Sequence, residues 1–261
     1  MKKITLALLS VALIASTGFA QKETKKEMTK FDMNSMKEMM KGGSMPGMGG
    51  SMPTMQPVEV EDEYEFQHSV DMKVESFNKK GSLDNSMNYT MHLSENADHF
   101  GMDMTHEQGN GTMIYEITEQ RMIMMTESDG NKMGFVTVVN ETLVEEATEE
   151  SEPDFHKSGR KKEILGRQCE EWVGTDESHD FSVWMATDAS FSFAKAYQEM
   201  AKAQNKGKSS GTEYPEGMLM EMISTDKDKG TKTVMTVTEI RENSNFVIST
   251  KGWTFYQMGS Y

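Results

Sequence analysis

The feature that most constrains this chain is a two-residue alternation of large and polar side chains that begins near residue 63. One parity carries Tyr64, Phe66, His68, Val70, Met72 and Val74, and the other carries Glu63, Glu65, Gln67, Ser69, Asp71, Lys73 and Glu75. Successive side chains of a β-strand point to opposite sides of the sheet. The pattern therefore predicts a long strand with one buried side.

Segments with strand-like patterns recur five times before residue 140, between turns rich in Gly, Asn and Asp. The recurring segments are 83–93, 100–104, 113–118, 121–127 and 132–139. Residues 121–125 are apolar in both parities, which is typical of a strand that is covered on both sides. Short strands at this spacing predict an antiparallel meander, closed as a sandwich, a barrel or a half-barrel.

The second half of the chain adds further strands and one helix. Strand patterns occur at 167–175, 181–186, 218–223, 232–240 and 246–256. Between them, Asp188 or Ser190 can cap a helix near 189–205, in which Phe193, Tyr197 and Met200 form an apolar stripe. The sequence thus predicts a mainly β protein with one helix, an α+β domain of about 9–11 strands over residues 58–261.

Residues 1–20 have the order of a secretory signal peptide. Two lysines follow Met1, an apolar run covers residues 4–15, and Gly18 and Ala20 place small residues at the positions that signal peptidase reads. Cleavage is expected before Gln21. We therefore expect an exported protein, located in the periplasm or outside the cell, with a Gram-negative bacterium as the expected source.

The composition of residues 21–57, rich in Met, Gly and Pro, predicts a flexible segment. Its methionines repeat as M-x-x-M units, and those with ligand potential are Met33, Met36, Met39, Met40, Met45, Met48, Met52 and Met55. Thioethers are soft ligands that suit Cu(I), so this segment is a candidate Cu(I) or Ag(I) site. Two alternatives stay open: a short amphipathic helix through Met33, Met36 and Met40, and a general drift of composition toward methionine, since the chain has 27 methionines and nine leucines.

Several function classes are disfavoured by composition. The 42 acidic residues exceed the 27 Lys and Arg, which argues against nucleic-acid binding through phosphate neutralisation. After the leader, no apolar run has the roughly 20 residues that a membrane-spanning helix needs. Cys169 is the single cysteine, which excludes an internal disulfide. No nucleophile elbow, zinc-protease helix or dinucleotide fingerprint occurs, so we expect no enzyme activity and no cofactor, with Cu(I) as the one metal considered.

A second candidate metal site lies within the predicted sheet. On a strand, Met102, Met104 and His106 project from one side and His99 from the other. Three soft or borderline ligands in a row could hold Cu(I). The alternative, which we favour, is a methionine-lined side of a strand that ends in an edge histidine, because methionine fills hydrophobic cores throughout this chain.

Four short motifs resemble one exported bacterial family. They are Gly166-Arg167-Gln168-Cys169-Glu170-Glu171-Trp172, Val183-Trp184-Met185-Ala186, Gly217-Met218-Leu219-Met220, and Phe246-Val247-Ile248-Ser249-Thr250-Lys251-Gly252-Trp253. The family is the domain of unknown function 4412, and it is distantly similar to the outer-membrane lipoprotein carrier and receptor fold. This resemblance implies an open antiparallel half-barrel with helices in its concave side. It brings no catalytic residues.

The leading functional hypothesis is a non-enzymatic envelope protein whose half-barrel binds an apolar or amphipathic ligand, such as a lipid or a lipidated protein. The warrant is a sheet whose inward side chains are methionine and aromatic, which makes an adaptable surface. Soft-metal binding by the Met-rich segment is the alternative. A purely structural or assembly role is the third hypothesis.

Overall fold

The computed structural model describes residues 56–96, 98–106, 109–128, 130–138, 155–188 and 217–257. These residues form fifteen strands in two sheets. The strands are β1 Gln56–Pro57, β2 Glu63–Phe66, β3 His68–Phe77, β4 Leu83–Leu93, β5 His99–His106, β6 Gly109–Glu116, β7 Arg121–Ser128, β8 Asn131–Val138, β9 His156–Ile164, β10 Arg167–Thr175, β11 His179–Ala186, β12 Met218–Asp226, β13 Lys232–Arg241, β14 Phe246–Ser249 and β15 Thr254–Gln257.

Thirteen strands form one open sheet, in the order β1-β15-β8-β7-β6-β5-β4-β3-β13-β12-β11-β10-β9. Neighbours pair antiparallel, except that β15 runs parallel to β8. Strands β3 to β8 follow one another in space as they do in sequence, which confirms the predicted meander. Pairing of β13 with β3 then joins this meander to the second one, β9 to β13.

The predicted fold class was wrong. The described residues are all β, and the main sheet has 13 strands rather than a half-barrel of about 9–11 strands with one helix. The helix predicted near 189–205 lies outside the described residues. The predicted long strand over residues 63–75 was also wrong, because it divides at Gln67 into β2 and β3, which join different sheets and pack in different hydrophobic clusters. The predicted strand 246–256 divides in the same manner into β14 and β15. The basic segment 156–164 adds β9, and Gln56–Pro57 adds β1.

Both edges of the main sheet are protected against pairing with another chain. At one edge, β1 has two residues and includes Pro57, which lacks a backbone N–H. At the other edge, β9 is interrupted by a register shift opposite Glu170 and Trp172, where Gly159 adopts a φ of 81°. Bulges and charged side chains of this kind are the usual means of blunting an edge strand.

The basic side chains of β9 are bound within the molecule. The ion pairs join Lys157 and Lys161 to Glu170, Arg160 to Glu171, and Lys162 to Glu221. Glu171 is 1% exposed and also accepts hydrogen bonds from Ser158 and Ser182. Burial raises the pKa of Glu171, but the hydrogen bonds lower it more, so the net pKa lies below its ordinary value. These contacts explain how a segment this charged forms a strand.

The small second sheet, β2 and β14, covers one side of the main sheet. Phe66 and Ile248 from these strands pack with Ile114 and Ile123 of the main sheet in one hydrophobic cluster. The approach is close at Gly101, where an added Cβ would lie 2.9 Å from the Phe66 ring. Further along, the ring of Phe255 from the neighbouring strand β15 lies over Gly134 of β8 and belongs to the same cluster. We call this covered side of the main sheet the layered side.

We expect Gly134→Ala to destabilise the protein, because the new methyl group would lie 2.1 Å from the Phe255 ring. Overpacking of this kind costs about 1–3 kcal/mol, measurable as a lower midpoint in urea unfolding. Gly111→Ala is the matched control, since its Cβ would meet nothing closer than the Met104 methyl group at 3.6 Å. Equal midpoints for the two variants would contradict the close packing of Phe255.

Candidate ligand-binding cluster

The other side of the main sheet carries a hydrophobic cluster rich in methionine, here called the methionine cluster. Its nine buried methionines are Met72, Met87, Met102, Met113, Met185, Met218, Met220, Met222 and Met235. Four more are partly buried against them: Met91, Met104, Met122 and Met124. Methionine has a flexible and polarisable side chain, so a cluster built from it can change shape at low cost.

Four methionines form a continuous row across the centre of this cluster. Met91 of β4 lies directly opposite Met102 of β5, Met102 lies opposite Met113 of β6, and Met113 lies opposite Met124 of β7. Directly opposed residues on antiparallel strands share one side of the sheet. We call these four residues the methionine ladder.

The methionine ladder was not predicted from the sequence, although the regular spacing of its residues is visible in it. Each of its methionines follows the previous one by eleven residues, because the hairpins from β4 to β7 have matching lengths. The alternation within a strand shows only which side of that strand a methionine occupies. The equal spacing of methionines across several strands is what indicates that the four side chains are neighbours.

Aromatic side chains border the ladder. Phe100 and Tyr115 stack with their ring centroids 5.3 Å apart, and the Tyr89 hydroxyl donates to the Met87 sulfur at 3.5 Å. Burial raises the pKa of Tyr89 to about 12, so this hydroxyl stays protonated and neutral at physiological pH. The cluster is therefore apolar, and the Tyr89 hydroxyl within it is neutral.

The structure shows the side chains of two of the three residues in the predicted site of Met102, Met104 and His106. Met102 and Met104 share one side of β5 and belong to the methionine cluster, while His99 lies on the opposite side, as predicted. His99 is bound to Asp98 and to the backbone carbonyl of Glu65. The side chain of His106 lies outside the described part of the chain, and metal binding at this site stays a prediction.

The eight tail methionines, Met33, Met36, Met39, Met40, Met45, Met48, Met52 and Met55, all lie outside the described residues. Within the described residues, no group of three or more His, Cys, Asp or Glu side chains is arranged to hold a metal ion. Metal binding by the thioethers of the tail stays a prediction.

Cys169 is fully buried in the methionine cluster. Its thiol lies 3.5 Å from the carbonyl oxygen of Arg167, and burial raises its pKa above the ordinary value. A neutral buried thiol is a poor nucleophile.

Ser69, His92 and Asp103 form a hydrogen-bonded series on the layered side. This series was also not predicted from the sequence. The Ser69 hydroxyl is 2.9 Å from Nδ1 of His92, and Nε2 of His92 is 3.0 Å from Asp103. The three residues come from β3, β4 and β5, so their proximity depends on strand pairing. No local motif contains all three.

The hydrogen bonds among Ser69, His92 and Asp103 have a structural role. Ser69 is 1% exposed, and its hydroxyl also lies 3.1 Å from that of Ser244. The His92 ring is stacked on Phe246 with centroids 4.0 Å apart. A catalytic nucleophile must contact its substrate, which the burial of Ser69 prevents. The contacts instead join three strands to the connection between β13 and β14.

Asp71 on the same side binds β3 to both of its neighbours. It accepts hydrogen bonds from Arg241 of β13 at 2.6 and 2.7 Å, and from Thr90 of β4 at 2.7 Å. The bonds from Arg241 are the main reason that the pKa of Asp71 lies below its ordinary value. A carboxyl group whose pKa is lowered by folding stabilises the fold in its ionised form.

We expect Asp71→Asn to lower the free energy of unfolding by about 1–2 kcal/mol at neutral pH. The contribution of Asp71 is present above about pH 4 and is lost as the pH falls through the lowered pKa, so wild type and variant converge in acid. Urea unfolding at both pH values measures this. Asp228→Asn, at an exposed turn, is the control, and a constant difference between Asp71→Asn and wild type at every pH would contradict the ion pair.

A family model for a domain of unknown function, DUF4412, matches residues 66–246. The chain belongs to this family. A search of curated proteins found no match. The described residues contain no helix long and apolar enough to cross a membrane.

Several solved structures are similar to the DUF4412 chain at low identity. A crystal structure of PNGF-II matches with 9% identity and a TM-score of 0.39, covering 74% of this chain and 31% of that one. An uncharacterised conserved protein from Thermus thermophilus matches with 8% identity and a TM-score of 0.40, covering 73% and 91%. A putative outer membrane lipoprotein-sorting protein domain from Vibrio parahaemolyticus matches with 11% identity and a TM-score of 0.22, covering 69% and 86%.

The chain spans about a third of the length of PNGF-II.

Proposed function

We propose that this DUF4412 protein is exported and binds an apolar or amphipathic ligand, such as a lipid or the lipid chain of a partner protein, through its methionine cluster. The observation that carries the proposal is the gathering of thirteen methionines in one cluster against the main sheet. Unbranched thioether side chains adapt to ligands of irregular shape, as branched aliphatic side chains do not.

The contrast between the two sides of the sheet supports this assignment. On the layered side, Ile114, Ile123 and Phe66 are fully buried, and the Phe66 ring lies tightly against Gly101. Such a layer is rigid and already has its partner, the β2–β14 sheet. Methionine is concentrated on the other side, where Met91 and Met124 are half-buried at the two ends of the ladder. Adaptable side chains are thus concentrated on one side.

The leader of residues 1–20 supports a location in the periplasm or outside the cell. A non-enzymatic role is supported by the chemistry of the described residues. Cys169 is a buried neutral thiol, and the Ser69 hydroxyl is held inside a structural link. A lipid-binding protein needs neither nucleophile nor cofactor, since binding rests on apolar area and shape.

The proposal predicts that a charge placed at either end of the ladder weakens ligand binding. Met91→Glu and Met124→Glu put a carboxylate at half-buried positions of the methionine cluster, and desolvating that carboxylate under an apolar ligand costs free energy. We expect both variants to bind N-phenylnaphthylamine and a dansyl-labelled fatty acid more weakly than wild type by at least about tenfold. Fluorescence titration measures the affinity.

Asn88→Glu is the matched control, because Asn88 is exposed on β4 at the parity opposite to Met91. It should bind both probes like wild type. Native mass spectrometry of protein purified from the cell envelope adds an independent measurement, with co-purified lipid as the expected result. Absence of probe binding by wild type, or equal loss in the Asn88→Glu control, would refute the proposal.

A further inference from the structure

We propose that the methionine ladder, Met91, Met102, Met113 and Met124, is a binding site for a soft monovalent metal ion of the Cu(I) class. This site is distinct from the tail methionines and from the predicted group of Met102, Met104 and His106. It uses one thioether from each of four adjacent strands. It does not depend on ligand binding by the cluster as a whole.

The pairing of the strands sets the spacing of the sulfur atoms. Neighbouring strands of a sheet lie roughly 4.8 Å apart, and directly opposed side chains point to the same side. Each methionine has three rotatable bonds with which its sulfur can move toward a shared centre. Three consecutive members of the ladder can therefore turn their sulfur atoms to one ion while the backbone stays in place.

The donor set selects soft ions. Thioether sulfur binds Cu(I) and its analogue Ag(I), whereas Mg²⁺ and Ca²⁺ require oxygen ligands. His92, Asp103 and Thr112, each next to a ladder methionine in the chain, have the opposite parity, and His92 and Thr112 both bond to Asp103 on the layered side. The hydroxyl groups of Tyr89 and Tyr115 lie in the methionine cluster, and that of Tyr89 donates to Met87. The ladder thus presents sulfur to an ion without competing carboxylate or imidazole from these neighbouring positions.

The two ends of the ladder are accessible enough for an ion to enter the site. Met102 and Met113 in the middle of the ladder are 4% and 6% exposed, while Met91 and Met124 at its ends are half-buried. An ion can meet a terminal thioether before it loses all its water, and then pass to the inner pair. Transfer of a cation from water is costly, and the metal–sulfur bonds must offset that cost. The formal charge of −15 on the chain favours the approach of a cation.

A thioether site has a distinctive pH dependence. Cysteine and histidine must lose a proton before they bind a metal, so their affinity falls as the pH is lowered. Methionine has no such proton. We expect Ag(I) binding at the ladder to have the same affinity at about pH 5 as at about pH 7, whereas a site that used His106 would weaken across the titration range of histidine.

The test is Ag(I) titration of the exported chain with ¹³C-labelled methionine methyl groups, followed by NMR. Each ladder resonance is assigned by its loss in one of the variants Met91→Leu, Met102→Leu, Met113→Leu and Met124→Leu. We expect resonances of at least three of the four ladder residues to shift together, saturating at one Ag(I) per chain and independently of the tail resonances. Shifts confined to the tail, or to residues outside the ladder, would overturn the proposal.

A matched pair of double variants tests the same point by stoichiometry. Met102→Leu with Met113→Leu removes the central sulfur atoms, and leucine keeps the volume, so the fold is retained. Met185→Leu with Met218→Leu removes two buried cluster thioethers from β11 and β12 instead. Native mass spectrometry should show one fewer Ag(I) in the first double variant and the wild-type number in the second. Equal numbers in both variants would contradict the site.

These double variants also separate the ladder from the proposed ligand-binding function. Both keep an apolar surface, so N-phenylnaphthylamine should bind each of them as it binds wild type. Loss of Ag(I) with unchanged dye binding supports the ladder as a metal site in its own right. Loss of dye binding in the first variant alone would show instead that the substitutions damaged the cluster, and would overturn the interpretation of its Ag(I) loss as removal of ligands.

Discussion

The antiparallel pairing of β3 with β13 is the constraint on which the rest of the structure depends. It runs from Lys232 opposite Phe77 to Arg241 opposite Ser69 and joins two meanders into one sheet. Without it, both strands would be open edges with unpaired backbone groups, which promote association with other chains. The bidentate contact between Arg241 and Asp71 fixes the register at one end of this seam.

A single wide sheet gives the molecule two sides with different physical properties. The layered side is packed to a fixed geometry by aromatic rings against glycine, and its polar groups are bonded in networks such as Ser69–His92–Asp103. The methionine cluster on the other side is apolar, polarisable and conformationally soft. Rigidity on the first side holds the strands in register, and this register is what aligns the ladder methionines on the second.

The two proposals draw on different properties of the same side chains. An apolar ligand uses the surface area and the flexibility of the methionines, and leucine can replace them at small cost. A soft metal ion uses the sulfur lone pairs, for which leucine has no substitute. Occupation of the ladder by an ion would draw the thioethers together and restrict their rotation. The adaptable surface available to an apolar ligand would then be smaller, which makes the two ligands competitors.

The sequence by itself determined strands β4 to β8 of the first meander and the turns between them. These depend on local alternation and on turn residues, which are readable one segment at a time. The sequence also predicted that residues 121–125 are covered on both sides of the sheet, because apolar residues occupy both parities of this strand. The membership of the family was visible in short motifs.

Only the tertiary structure decided that β9 is a strand, that residues 246–256 divide between two sheets, and that four methionines form a ladder. The charges of β9 hide its strand character, because their partners Glu170, Glu171 and Glu221 belong to other strands. The ladder and the Ser69–His92–Asp103 link have the same origin. Strand pairing brings together residues that are distant in sequence, and a one-residue change of register would send every one of those side chains to the other side of the sheet.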